Sequence, residues 1–169
     1  RPAKPKTHIK LHGLIIGGTT IHGGSGSHAT QTQAILFIWD TVTKRKVFET
    51  SVSASGITNL ITTPEGQIYG FADDTLFMFD PSLHQLMMTT LSIPGLIYNS
   101  MTLGPEGWIW GLSTEGIFVI DPASKSAHLI AKPPEPITAG FAAQWPYLFY
   151  ASGPRIYRYE LPSTTSVPE

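Results

Sequence analysis

The 169-residue sequence contains no cysteine, few charges and no long apolar run. Without cysteine there is no disulfide framework, thiolate nucleophile or cysteine metal site, and the redox compartment stays open. Charged residues make up 14% of the chain and the net charge is -1, which provides no electrostatic basis for binding nucleic acid or an anionic membrane. No apolar stretch approaches the roughly 20 residues that a membrane-spanning helix needs. We therefore expect a globular protein that has no membrane span and does not bind nucleic acid.

Helix signals are also missing, whereas short strand patterns recur at a fixed distance. No stretch shows a sustained 3.6-residue period with caps, so no substantial helix is predicted. Acidic residues close similar apolar strands about 40 residues apart, at Asp40, Asp80, Asp121 and Glu160. A repeat of about 40 residues made only of strands is typical of a β-propeller blade.

The repeats predict an all-β fold: a single, partial β-propeller domain over residues 1–169, with four antiparallel strands in each blade of about 40 residues. Roughly three and a half to four blades fit the chain, because the last repeat has no convincing outermost strand. The predicted blades are approximately residues 8–52, 53–93, 94–134 and 135–162, followed by a flexible tail at 163–169.

An incomplete propeller needs partners. The chain begins at Arg1 rather than Met, and we expect it to be the C-terminal portion of something longer. The expected partners are the remaining blades of that longer chain or a second copy of this one. An arc that does not close would expose apolar blade faces at both ends, and we expect it to associate or aggregate. The compartment is left open, with an extracellular or periplasmic location as the working preference.

Aromatic and apolar residues recur at equivalent positions and are predicted to pack between blades. One set lies three residues before the acidic residue and comprises Phe37, Phe77, Phe118 and Tyr157. The other set lies in the preceding strand and comprises Ile16, Tyr69, Trp110 and Tyr150. Functional candidates are instead the residues that break this pattern.

Two repeats carry a phrase that resembles a known group of propellers. "PEGQIYGFADDTLFMFDP" (64–81) and "PEGWIWGLSTEGIFVIDP" (105–122) are similar to the units of propellers with quinoprotein-like, YVTN-type and two-component-regulator-type repeats. The resemblance covers about residues 13–161 and implies a fold rather than a chemistry. "DPASKSAH" (121–128) lacks the Thr-Gly-Lys and the trailing Trp of the quinoprotein phrase, so no quinone or other cofactor is predicted, and no metal site.

One connection breaks the period. "HGGSGSHATQTQ" (22–33) is longer than the loops at the equivalent position in the other repeats, and long insertions on a rigid scaffold are often functional. A flexible solvated loop is the alternative interpretation of this segment. The predicted ligand-binding residues stand in this loop and at other non-recurring positions expected on one face: His22, Ser25, His28, Asp74, Tyr98, Trp108 and Glu115.

Two classes of function remain open. The first is a binding or scaffold portion that holds a partner, a peptide or a carbohydrate at the mouth of the channel. The second is a portion of a propeller-type enzyme, such as a polysaccharide lyase or hydrolase, with His28 as a general base. The spacing of residues along the sequence does not bring a base, a nucleophile and an orienting group together as a catalytic set. The catalytic residues are therefore unknown, and a binding function is preferred. A histidine within hydrogen-bond reach of Asp74, Tyr98 or Glu115 would favour the enzyme.

Overall fold

Alternating apolar residues separated by Pro, Gly and Asp turns form fifteen β-strands in the computed structural model, which describes residues 5–11, 13–22, 28–29 and 31–161. Consecutive strands pair antiparallel into four sheets, each in sequence order. Across these described ranges the only helical element is a short 3-10 turn at Pro105–Gly107, and no helix is long and apolar enough to cross a membrane. The predicted all-β, partial β-propeller is confirmed.

The four sheets follow one another along the chain. Sheet 1 contains β1 (Pro5–Leu11), β2 (Leu14–Thr19), β3 (Ala34–Asp40) and β4 (Arg45–Val52). Sheet 2 contains β5 (Ile57–Thr62), β6 (Ile68–Ala72), β7 (Thr75–Asp80) and β8 (Gln85–Ser92). Sheet 3 contains β9 (Leu96–Leu103), β10 (Ile109–Ser113), β11 (Gly116–Asp121) and β12 (Ser126–Ala131). Sheet 4 contains three described strands, β13 (Ala139–Gln144), β14 (Tyr147–Ser152) and β15 (Arg155–Glu160).

The recurring aspartates close the third strand of each of the first three sheets. Asp80 Oδ1 accepts hydrogen bonds from the backbone N–H groups of Ser82 (2.8 Å) and Leu83 (3.1 Å) and from the Ser82 hydroxyl (2.6 Å). Asp40 and Asp121 accept equivalent bonds from the residues that follow them. Because these bonds favour the ionised carboxylate, they lower the pKa of all three side chains; for Asp80 the Ser82 hydroxyl has the largest effect. The recurring aspartates therefore fix the turn that follows each of these third strands.

The innermost strands β1, β5, β9 and β13 are neighbours in chain order, so the sheets are arranged radially around them. A bulge in the innermost strand helps to join sheets 2 and 3. Asn59 has a positive φ of 55°, a conformation that asparagine tolerates better than most residues. Its buried side chain donates from Nδ2 to the Ile97 carbonyl (3.1 Å), and its Oδ1 accepts from the Ser100 N–H (2.9 Å). The Asn59 side chain thus joins β5 to the backbone of β9.

Three apolar clusters fill the junctions between successive sheets. The cluster between sheets 1 and 2 includes Leu36, Ile38, Phe77 and Phe79. The cluster between sheets 2 and 3 includes Phe71, Leu76, Phe118 and Ile120. The cluster between sheets 3 and 4 includes Leu112, Ile117, Leu148 and Tyr150. Both faces of sheets 2 and 3 are consequently covered, which agrees with the apolar residues predicted on both faces of the inner strands.

A phenylalanine lies over a glycine in each of the first three sheets. The cross-strand pairs are Gly17 with Phe37, Gly70 with Phe77, and Gly111 with Phe118. A Cβ atom added at Gly111 would lie 2.3 Å from Phe118 Cζ, so only glycine leaves room for the ring. The glycine therefore recurs because the ring of the next strand occupies the space of its side chain.

The register of sheet 4 corrects one of the predicted equivalences. Tyr150 pairs with Tyr157, so Tyr150 occupies the position that Gly111 has in sheet 3, and Phe149 is the equivalent of Trp110. The two tyrosine rings stack with centroids 5.5 Å apart, which replaces the phenylalanine over glycine. The assignment of Tyr150 to the set of Ile16, Tyr69 and Trp110 was wrong by one residue, because this sheet lacks the glycine that marks the register.

Candidate functional site

One end of all four sheets carries the turns between second and third strands together with the linkers between sheets. We call this end the loop face. Among the described residues it comprises 20–22, 28–29, 31–33, 53–56, 73–74, 93–95, 114–115, 132–138 and 153–154. The opposite end carries the turns between first and second strands and between third and fourth strands. This division follows from the antiparallel order, in which every second strand runs toward the loop face.

Backbone hydrogen bonds connect the hairpins and linkers of the loop face into a continuous rim. In each bond the first-named backbone N–H donates to the second-named carbonyl oxygen: Ile21 to Ser55 (2.8 Å), Asp73 to Gly56 (2.9 Å), Ile93 to Asp74 (2.9 Å) and Thr114 to Gly95 (2.8 Å). The loops of sheets 1, 2 and 3 are thereby held at fixed positions relative to one another. A ligand on this face would meet a preformed surface.

Asp73 strengthens this rim. Its carboxylate accepts from the Ser55 N–H (2.9 Å), the Ser55 hydroxyl (2.5 Å) and the Gly56 N–H (3.0 Å). Asp73 itself has a positive φ of 51° at the β6–β7 turn. These bonds explain an aspartate at this position by the geometry of the turn, without any role in proton transfer.

The predicted loop residues of sheet 1 lie beside this rim. His22 is exposed, and its backbone N–H donates to the Thr20 hydroxyl (3.3 Å), which in turn donates to the Ser55 carbonyl (3.1 Å). His28 is exposed in the same connection between β2 and β3. Ser25 lies outside the described residues. In the part of the chain that the structure describes, no hydrogen bond joins the imidazole of His22 or His28 to Asp74 or Glu115.

Asp74, Glu115 and Tyr98 lie at the loop face of sheets 2 and 3. Asp74 and Glu115 are exposed in the β6–β7 and β10–β11 turns. Tyr98 is also exposed, near the start of the innermost strand β9, whose first residue Leu96 pairs with Ser113 beside the turn of Glu115. The fold thus gathers three of the predicted residues at the same end of two neighbouring sheets.

Trp108 lies elsewhere. It follows the Pro105–Gly107 turn and precedes Ile109, the first residue of β10, whereas Glu115 follows the last residue of that strand. Five strand residues separate the two, a distance of roughly 16 Å along the strand. Trp108 is therefore at the opposite end of sheet 3 from the loop face, and the prediction that it shares a face with Glu115 was wrong. Its own role in binding stays a prediction.

A groove of about 210 Å³ opens at the loop face between the outer strands of sheets 2 and 3. It is lined by Leu91, Ser92, Ile93, Pro94, Ser113, Glu115, Phe118, Ala127, His128 and Leu129. Most of this lining is apolar, and Glu115 supplies a carboxylate. The side chain of His128 lies on the opposite face of β12 from those of Ala127 and Leu129, because His128 pairs with Val119. Glu115 is held by a hydrogen bond from its backbone N–H to the Ser113 hydroxyl (3.2 Å).

His128 is the groove residue that the sequence did not single out. It is half-buried in β12, where it pairs with Val119. Its Nε2 lies 3.4 Å from the Ser126 hydroxyl, which is 2.7 Å from the Ser124 hydroxyl, and Ser124 donates to Asp121 Oδ2 (2.7 Å). The Ser124 hydroxyl is the main cause of the lowered pKa of Asp121, and the nearby His128 charge contributes least. The register of β12 places its side chain on the Val119 face of sheet 3, opposite the Phe118 face that lines the groove.

Few polar side chains converge at the groove. Across the described residues, no three His, Asp or Glu side chains converge as a metal site would require. The Asp121 carboxylate is engaged by its own turn, so it does not orient the His128 ring as a triad aspartate would. The groove provides apolar contact area with the Glu115 carboxylate at its border.

Comparison with known proteins supports the fold. No protein-family model matches the chain, and no curated protein matches it in sequence. Among solved structures, the computationally designed protein Ika4 superimposes with a TM-score of 0.67 at 11% identity, covering 96% of this chain and 94% of Ika4. The extracellular domain of BT4673 from B. thetaiotaomicron matches with a TM-score of 0.67 at 16% identity, over 97% of this chain and 22% of that one. BamB from Moraxella catarrhalis matches with a TM-score of 0.62 at 16% identity, over 90% of this chain and 41% of BamB. This chain therefore spans less than half of the two natural proteins, and at these identities the likeness concerns the fold alone.

Proposed function

We propose that this chain is the binding portion of a partial β-propeller and that it holds a ligand or partner in the groove between sheets 2 and 3. The single observation that carries the proposal is the groove itself, an apolar depression bordered by Glu115 on a hydrogen-bonded loop face. Ligand sites are commonly concave and mostly apolar, with a few polar groups that fix orientation. The connections that form this face are also where scaffolds usually carry their function.

The lining specifies a ligand class. Leu91, Leu129 and Ala127 would cover an apolar group, and the Glu115 carboxylate would attract a cation or a hydrogen-bond donor next to it. A peptide with an apolar residue followed by lysine combines these two features. The peptide is therefore the ligand that we favour among those expected from the sequence.

The proposal is tested by titrating short peptides that contain Leu-Lys into the protein and following amide signals by NMR. Binding should shift the signals of Leu91, Ile93 and Leu129, and replacing the peptide lysine by glutamate should weaken it. Glu115→Gln should weaken binding about threefold to fivefold, since the ion pair would be exposed. Leu129→Ser should weaken it by a similar factor through lost apolar contact, about fivefold.

A matched control separates the groove from general surface effects. Leu83 is 69% exposed in the β7–β8 turn at the other end of sheet 2, so Leu83→Ser removes an exposed leucine without touching the groove. This variant should bind the peptides as the parent chain does. Shifts that persist unchanged in Leu129→Ser and Glu115→Gln, or no shifts at millimolar peptide, would refute the groove as a binding site.

A carbohydrate is the second ligand class, proposed from Trp108 and Tyr98 because aromatic faces stack on sugars. The same NMR titration with neutral oligosaccharides tests it, and Trp108→Ala should abolish the shifts around Trp108 while the melting temperature holds. His28→Ala tests the long connection of sheet 1 in the same way. Since Trp108 and Tyr98 lie toward opposite ends of sheet 3, shifts at only one of them would identify the end that binds.

The finer assignments of the fold are part of this proposal. We propose that the repeats belong to the quinoprotein-like, YVTN-type group, supported by the two phrases at 64–81 and 105–122. We also propose the blade limits 8–52, 53–93, 94–134 and 135–162. The last limit falls at residue 162, the first residue of the undescribed segment 162–169. Limited proteolysis tests the limit between the third and fourth blades, because cleavage should concentrate in the linker 132–138, most of which is exposed and lies outside the hydrogen-bonded rim.

A further inference from the structure

Each sheet has two faces that are distinguished by what covers them. We call the front face the one that packs on the preceding sheet and the back face the one that packs on the following sheet. In sheets 2 and 3 the front faces carry the phenylalanine over glycine and the residue two positions further along the strand, Phe79 or Ile120. The back faces of the first three sheets carry Leu36, Leu76 and Ile117 at one equivalent position.

The back face of sheet 4 is uncovered in the part of the chain that the structure describes. Ile156 occupies the position of Leu36, Leu76 and Ile117, which are each at most 1% exposed, yet Ile156 is 81% exposed. Phe149 and Ala151 lie on the same face of β14 and are only half-buried. An isoleucine that remains in water at a position buried in every other sheet marks this face as half of a missing junction.

The front face of sheet 1 is uncovered as well. Phe37 lies over Gly17 as Phe77 and Phe118 lie over their glycines, but Phe37 is only half-buried. Trp39 stands where Phe79 and Ile120 are completely buried, and it is 39% exposed. The packing device of an internal front face is therefore present without an opposing sheet among the described residues.

The two uncovered faces are the complementary halves of one repeated junction. Inside the chain, a back face meets the front face of the next sheet three times. The back face of sheet 4 and the front face of sheet 1 continue that series. Each face also carries one basic and one acidic side chain beside its apolar residues: Arg158 and Glu160 on the back face of sheet 4, and the ion-paired Lys46 and Glu49 on the front face of sheet 1.

We infer that a second copy of this chain covers both faces, with the back face of sheet 4 in each copy packed on the front face of sheet 1 in the other. Each junction is heterologous, and a twofold axis makes both junctions at once, so the assembly closes as a ring of eight sheets. Eight lies within the usual range of about four to eight propeller blades. This inference is independent of ligand binding in the groove, which lies between sheets 2 and 3.

The first measurement is the mass of the chain by sedimentation equilibrium at concentrations from about 1 to 100 μM. A reversible monomer–dimer equilibrium is expected. Ile156→Asp and Trp39→Asp should each raise the dimer dissociation constant more than about tenfold, because each places a charge in a desolvated contact. Leu83→Asp is the control, since Leu83 lies on neither face, and it should leave the dimer intact.

Mixing the two variants tests the heterologous geometry. The Ile156→Asp chain keeps its front face and the Trp39→Asp chain keeps its back face, so the mixture can form one intact junction and should recover part of the dimer mass. An interface between two identical faces would show no such recovery.

Circular dichroism establishes that each variant keeps its strands. A folded chain that stays monomeric at about 100 μM would overturn the inference, as would open polymers in place of a closed dimer. A dimer that Ile156→Asp and Trp39→Asp both leave unchanged would overturn it too, since the contact would then lie elsewhere.

Discussion

Truncating Phe118 and Phe37 separately measures how much the neighbouring sheet contributes to stability. Both rings lie over a glycine in the same local geometry, but only Phe118 is covered by a preceding sheet, where it also meets Phe71 edge-on at 6.4 Å. Burial of about 150 Å² of a phenylalanine at about 25 cal/mol/Å² corresponds to about 4 kcal/mol. Phe118→Ala should therefore lower the free energy of unfolding by about 3 to 5 kcal/mol, and Phe37→Ala by roughly half of that.

Urea denaturation followed by tryptophan fluorescence is the assay, carried out in the Ile156→Asp background to keep the chain monomeric. With a slope of about 2 kcal/mol/M, Phe118→Ala should move the midpoint by about 2 M and Phe37→Ala by about 1 M. Equal shifts for the two variants would show that sheet 2 does not desolvate Phe118, and the stacking of sheets derived above would be wrong.

Gly111→Ala completes this experiment. Because the new Cβ atom would lie 2.3 Å from Phe118 Cζ, this change alone should cost about 1 to 3 kcal/mol by overpacking. In the Phe118→Ala background the clash disappears and the same change should be close to neutral. Additive effects of the two substitutions would contradict a direct contact between ring and glycine.

Two further predictions concern polar side chains. Asn59→Ala leaves the Ile97 carbonyl and the Ser100 N–H without their partner and should lower the free energy of unfolding by about 2 to 4 kcal/mol. Asn99 shares the positive φ but is exposed, so Asn99→Ala is the control and should cost about 1 kcal/mol or less. The urea midpoints of the two variants measure the difference. The pKa of Asp80 is lowered in the folded chain, so its stabilising contribution is complete above its unfolded value near 4 and is lost as the pH falls through the folded value. Asp80→Asn should therefore reduce the loss of stability between about pH 5 and pH 2, and an unchanged pH dependence would contradict the turn hydrogen bonds as its source.

The candidate site illustrates which residues a linear pattern can identify. Asp74, Glu115 and the long connection with His22 and His28 were found because they interrupt a repeat, and the antiparallel order then places them at one end of the sheets. His128 was not singled out because nothing in its own segment distinguishes it, and only the register of β12 shows that its side chain lies on the face opposite the groove. Trp108 was assigned to the wrong end because its turn and that of Glu115 are close in sequence but separated by a whole strand.

The sequence by itself determined the features that depend on neighbours along the chain. Three local features recur about every 40 residues: strand alternation, the aspartate turns after the third strands, and the glycine opposite each phenylalanine. They recur because each repeat forms the same antiparallel strands and turns. The tertiary structure alone decided which faces meet. In the described structure sheet 2 covers Phe118, whereas no sheet covers Phe37 or Ile156. The hydrogen bond from Asn59 to β9 likewise joins two different repeats of the chain. Burial is a property of two surfaces in contact. The sequence of one repeat therefore does not determine whether a given position is buried, as Phe118 is, or left exposed to solvent.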